Sequence, residues 1–135
     1  MGKTETKEFK ILGRKFTFLR YGDQWVIPII SNYTDGLGCP VAMLLYTLTN
    51  GELELYNCVT VNLPNCNRTA GCQFIDTNNN DIGIVDWLEQ NGLGIRTGNI
   101  GMSGMCQYPE FDFYKGEKFW ESRKESEELL RKLKL

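Results

Sequence analysis

The chain contains no histidine. That removes Cys–His and Ser–His nucleophilic catalysis, the commonest general base near neutral pH, and the imidazole ligands of many zinc sites. Its five cysteines (Cys39, Cys58, Cys66, Cys72 and Cys106) include no C-x-x-C pair. A structural zinc site therefore lacks its closely spaced ligands, and reduced thiols are the expected state. The longest apolar run, Pro40 to Tyr46, is far short of the roughly 18 residues that mark a membrane-spanning helix. The first residues, M-G-K-T-E-T-K-E, are charged and carry no signal-peptide core. These absences read as a soluble, cytoplasmic protein with no membrane association, no cofactor and no enzymatic activity.

What is present fits one domain over residues 1–135, with a flexible start at 1–7 and a charged C-terminal helix at 116–135. The length of 135 residues is enough to bury a core, and 41% hydrophobic content is too apolar for disorder. Charge is unevenly placed. Residues 1–20 carry six basic groups against two acidic, and residues 115–135 carry seven against five. Residues 21–114 hold only Arg68 and Arg96 against ten carboxylates. An acidic centre repels nucleic acid, so direct nucleic-acid binding is not expected, and it favours a basic protein partner.

Along the chain, Glu8–Leu12 and Lys15–Tyr21 read as a hairpin, followed by a strand from Gln24 to Ile30. Pro28 places that strand at an edge or a bulge, because proline cannot donate to a ladder. Ser31 to Cys39 is loop chemistry. Pro40 then opens a central strand, and Asn50-Gly51 returns it as a hairpin through a type I′ turn. Gln73 to Ile75 is a short strand, and the Asx run Asp76–Asp81 caps a helix. Ile82, Val85 and Leu88 form its apolar stripe, with Gly92 as the left-handed stop. Gly92 to Gly104 reads as a glycine-laced loop. Met105–Tyr114 is an aromatic strand, at an edge or bulge because of Pro109. From Lys118 a helix sets Phe119, Ser122, Ser126, Leu129 and Leu133 on one side. The fold class is α+β: an antiparallel sheet of five or six strands, one short central helix and a C-terminal amphipathic helix.

Candidate sites gather around this central block. Asp76-x-Asn78-x-Asn80 invites comparison with a calcium loop. Asp81 stands where that loop requires glycine, and Trp87 where it requires a bidentate glutamate, so no metal is expected. The glycine loop leaves a helix C-terminus, the wrong electrostatic end for cradling phosphate. The candidate binding residues, for partner or ligand, are Asp76, Asn78, Asn79, Asp81, Asp86, Arg96, Tyr108 and Trp120. Trp120 is the candidate interface anchor.

Four motifs carry a family resemblance: T-V-N-L-P (60–64), F-I-D-T-N-N (74–79), W-L-E-Q-N-G-L-G (87–94) and T-G-x-x-G-x-S-G-x-C-x-Y-P-x-F-x-F (97–113). They resemble a small bacterial family of unknown function, met in genomes rich in mobile elements. Its members carry proline before the T-G, where this chain has Arg96. The resemblance implies a compact α+β fold and a mobile-element context, and it supplies no activity. The leading functional expectation is a non-enzymatic interaction module of a phage or mobile element. Its sharpest form is an inhibitor of a bacterial defence system, anti-CRISPR-like, that binds a basic protein. The alternatives are a small-ligand-binding or enzymatic domain using the Asx turn and the glycine loop, and a homo-oligomer, such as a dimer, built through the C-terminal helix.

Overall fold

A computed structural model describes residues 4–34 and 40–133. Part of the expected loop after Ser31, at 35–39 with the Cys39 thiol, and residues 1–3 and 134–135 lie outside the described residues. Among the described residues nine strands and two helices follow in order: β1 (Thr6–Ile11), β2 (Arg14–Tyr21), β3 (Gln24–Asn32), β4 (Val41–Thr49), β5 (Glu52–Cys58), β6 (Thr60–Val61), β7 (Cys72–Ile75), α1 (Gly83–Gln90), β8 (Ile95–Ser103), β9 (Cys106–Asp112) and α2 (Phe119–Leu133). A single 3-10 turn at Phe113–Lys115 joins β9 to α2. The α+β class is as the sequence implies, with an antiparallel five-stranded sheet ordered β1-β2-β3-β4-β5. A second, four-stranded sheet ordered β6-β7-β9-β8 stands beside it. The stretch read as a glycine loop supplies its strand β8, and β1 begins inside the segment expected to be flexible.

Alternation along the strands gives the large sheet two apolar faces. Leu19, Val26, Ile30, Val41, Met43 and Leu45 pack with Ile75, Ile84, Leu88 and Phe111 from α1 and the small sheet. On the opposite face Phe16, Phe18, Ile27 and Ile29 pack with Leu129 of α2. Two-residue turns set the registers. Asn50 and Gly51 take φ of 52° and 80° between Thr49 and Glu52, the two positive angles a type I′ hairpin needs. Leu12 and Gly13 do the same between Ile11 and Arg14, with Leu12 held at φ 49° and its side chain exposed.

Pro28 is not at an edge. It lies inside β3, opposite Leu45 of β4, and the ladder to β2 ends two residues earlier at Leu19–Val26. From there β2 and β3 diverge, and α2 fills the gap. Its Ser126 hydroxyl accepts the Ile30 N–H at 2.8 Å, and its Glu125 carboxylate accepts the Thr17 N–H. The helix thereby replaces ladder partners that the proline denies. Phe119 lies in one apolar cluster and Leu129 in the other, so α2 bridges both faces of the sheet. Burial raises the Glu125 carboxyl above the usual range, against the pull of the Thr17 N–H. A raised acid favours its protonated form in the fold. Its ionisation therefore opposes folding at neutral pH, and that opposition is relieved as pH falls.

Helix α1 is rotated from its expected stripe: Ile84, Val85 and Leu88 are buried, whereas Ile82 precedes the helix and is 76% exposed. The stop at Gly92 is as expected. Its N–H donates to the Glu89 carbonyl, and the Leu93 N–H to Leu88, both at 3.0 Å. This is a Schellman ending with Gly92 at φ 71°. The Trp87 indole donates to the Arg20 carbonyl at 2.6 Å and fixes α1 to β2.

Two substitutions test these constraints. Ser126→Ala leaves the buried Ile30 N–H without its acceptor and is expected to cost about 1–3 kcal/mol in urea unfolding. Leu12→Asn relieves a left-handed leucine and is expected to gain about 1 kcal/mol in the same measurement.

Candidate functional site

The Asx run forms a closed knot. The Asp76 carboxylate accepts the Asn79 N–H at 3.1 Å and the Asn79 side-chain amide at 2.9 Å. The Asn80 amide donates to the carbonyls of Cys58 (2.8 Å) and Asp76 (2.9 Å) and so ties the turn to the large sheet. Asn78 is exposed. Asp81 Oδ1 accepts the Gly83 N–H at 3.2 Å in the turn ahead of α1. The N-cap position is Ile82, which makes no side-chain cap bond. The Asx run therefore shapes the entry turn and does not take the capping role that the sequence implies. Among the described residues no cluster of three or more His, Cys, Asp or Glu is placed to hold a metal ion.

Helix α1 carries Asp86 and Glu89 towards β8, where Arg96 meets both. Glu89 accepts from the Arg96 backbone N–H at 2.8 Å and from the guanidinium at 2.8 and 3.0 Å, and Asp86 also pairs with the guanidinium. This arrangement closes the edge of β8 at that point. The hydrogen-bonded guanidinium holds the Glu89 carboxyl below its usual range and the Arg96 pKa above its own. Beyond Arg96 the ladder with β9 slips, from Arg96–Phe111 to Ile100–Pro109. Residues 97–99 bulge out, with Gly98 at φ 90°. Pro109 sits where β9 parts from β7, whose last pair is Phe74–Glu110. Like Pro28 it is not an edge residue, but it stands next to the β8 bulge, the second of the two placements its sequence position allowed.

The bulge opens a cleft of about 480 Å³ between α1 and the small sheet, lined by Ile82, Val85, Asp86, Arg96, Asn99, Ile100, Pro109 and Glu110 among others. Sequence reasoning passed over Glu110. Its side chain is only 2% exposed and accepts from the Thr97 hydroxyl (2.7 Å), the Asn99 amide (3.1 Å) and the Thr69 N–H (3.4 Å). The one available signal was a carboxylate held between Pro109 and Phe111 in a strand rich in aromatic residues. Of the residues expected at a site, Asp86 and Arg96 line this cleft. Asp76, Asn79 and Asp81 build the turn that leads into α1.

Tyr108 is buried with Leu63 and Phe74 in a separate cluster of the small sheet. Trp120 is half-exposed on α2, its ring 4.8 Å from that of Tyr114 and its indole donating to the Tyr114 carbonyl at 3.3 Å. Among the described thiols, burial and the nearby Asp112 and Glu110 carboxylates push Cys72 up to about 11. A thiol held so far above the ordinary range is a poor nucleophile.

The family described as a domain of unknown function, DUF4313, matches residues 29–132. The chain belongs to this family. No curated protein and no solved structure matches it. The DUF4313 match begins within β3 and runs through α2. It therefore contains the Asx knot, the Arg96 clamp, the bulge and the cleft, and it leaves out the β1–β2 hairpin.

The clamp makes a pH-dependent prediction. A depressed carboxylate contributes stability above its unfolded pKa, and that contribution disappears as pH falls through the folded value. Arg96→Ala is expected to return the Glu89 carboxyl to the ordinary range, read by NMR titration of its side-chain carbon. The effect on neutral-pH stability should be at most about 1 kcal/mol, because the pair is largely solvated.

Proposed function

We propose that this DUF4313 protein is a non-enzymatic interaction module whose acidic, apolar-studded surface around α1 and β8 binds a basic protein. One observation carries the reading. Ile82, Ile100, Met102 and Met105 are each more than half exposed. They lie at the start of α1, along β8 and at the β8–β9 turn, and Asp81 and Asp86 stand beside Ile82. Strand β8 is the outer strand of its sheet, and such edges recruit further strands unless they are blocked. Here Glu89 blocks the edge at Arg96, at one end of the strand. Apolar anchors rimmed by carboxylates suit a partner that brings both apolar contact and positive charge.

In its sharpest form the reading makes the partner a nuclease of a bacterial defence system and the protein a mobile-element inhibitor of the anti-CRISPR kind. Nucleic-acid-binding enzymes carry the basic surfaces that such an acidic face complements. A second reading, a small-ligand site, draws support from the cleft volume alone.

The test is capture of a defined CRISPR nuclease by the tagged protein, at low and high salt. Binding should weaken with salt and fall at least tenfold in Asp81→Lys and in Met105→Asp. Met105 is 99% exposed, so its replacement leaves folding untouched. Capture that ignores both variants would remove this surface from the account, and failure to bind any such nuclease would remove the inhibitor form.

A further inference from the structure

We propose that the cleft beneath the β8 bulge is a receptor for an arginine or lysine side chain. On the interaction reading above, on which this assignment of the ligand's source rests, that side chain belongs to the basic partner.

Glu110 forms the floor. It is almost wholly buried, and its three donors are a hydroxyl, an amide and a backbone N–H, all neutral. No ion pair among the described residues includes it. Carboxylates are seldom buried without a counter-charge, because neutral donors only partly replace lost hydration. Arg96 also lines the cleft, yet its guanidinium is engaged by Glu89 and Asp86. Among the described residues no cation is paired with Glu110, and a cationic side chain entering the cleft would supply that missing counter-charge.

The walls fit the rest of such a side chain. Ile82, Val85, Ile100 and Pro109 supply aliphatic surface against which a methylene stem packs while its charged head reaches a polar partner. The Asn99 carboxamide sits beside the Glu110 carboxylate and adds a polar contact for the head. An anion is excluded by the carboxylate at the floor, and a purely apolar ligand would bury that charge further without pairing it. The volume of about 480 Å³ lies in the range of side-chain and small-molecule sites.

The probes are N-acetyl-arginine methylamide, N-acetyl-lysine methylamide and the neutral N-acetyl-citrulline methylamide, titrated into the isotope-labelled full chain and followed by amide NMR shifts. The cationic probes should give saturable shifts at Ile82, Gly98, Asn99 and Ile100, and citrulline should bind at least tenfold more weakly. Glu110→Gln should weaken the cationic probes at least tenfold. Ile82→Lys, at an exposed position that folding does not use, should do the same by placing the chain's own cation at the mouth. Equal binding of citrulline, indifference to both variants, or absence of saturable shifts at the cleft would overturn the proposal.

The source of the side chain is tested separately. If Glu110→Gln leaves nuclease capture intact while Asp81→Lys and Met105→Asp weaken it, the partner does not use the cleft and the interaction reading stands without this proposal. If the probes bind as expected but no nuclease does, the interaction reading falls and the cleft remains a receptor for a free alkyl-guanidinium or alkyl-ammonium compound.

Discussion

A missing N–H organises the large sheet. Pro28 lies in the third of five strands, where an uninterrupted ladder would demand a donor towards β2. The strands part there, and the parting would leave the Thr17 and Ile30 N–H groups without partners in a buried place. The fold closes the gap with side chains of α2, Glu125 and Ser126. A helix poor in apolar residues is thereby fixed by two directed bonds and by Phe119 and Leu129 at its two ends. The placement of α2, and through Phe119 its junction with the small sheet, follows from that one proline.

The second proline repeats the device with a different outcome. Pro109 ends the ladder between β9 and β7, and next to it the ladder between β9 and β8 slips by a bulge. No helix enters this gap. Glu110 and Asn99 line it with polar groups, Thr97 donates to Glu110, and α1 closes one side. An interruption that is filled becomes core, and one left open becomes a cleft. The same chemistry therefore gives α2 its seat against the large sheet and the candidate site its shape in the small one.

Much of the candidate site was legible residue by residue but not as an assembly. The left-handed stop at Gly92 follows from local rules that act within a few residues and is observed, whereas the Asx run forms the entry turn and Ile82, without a side-chain bond, takes the N-cap of α1. Arg96 drew notice as the lone cation of a glycine-rich stretch, but its partners are seven and ten residues away. Tyr108 looked like a site residue because its strand follows the glycine-rich stretch, although position along the chain does not tell which face of the strand is covered. Ser126 was read as a member of the helix stripe, and its burial shows why a serine belongs there: an apolar side chain would have left Ile30 without an acceptor. Glycines led the sequence reading astray at 92–104. Glycine permits a loop but does not impose one, and pairing with β9 makes most of that stretch a strand.

The sequence by itself determined the α+β class, the Asn50-Gly51 hairpin, both helices and the exclusion of histidine-based chemistry. These depend on periodicity, turn geometry and composition, which operate over short spans of chain. Only the tertiary structure decided that there are two sheets, that Pro28 and Pro109 each interrupt one ladder while lying within a sheet, and that Glu110 is buried beside an open cleft. Those facts arise from contacts between residues tens of positions apart, such as Thr17 with Glu125 or Thr69 with Glu110. No local preference encodes which strand will meet a given unpaired N–H, because that choice is made by the packing of the whole chain.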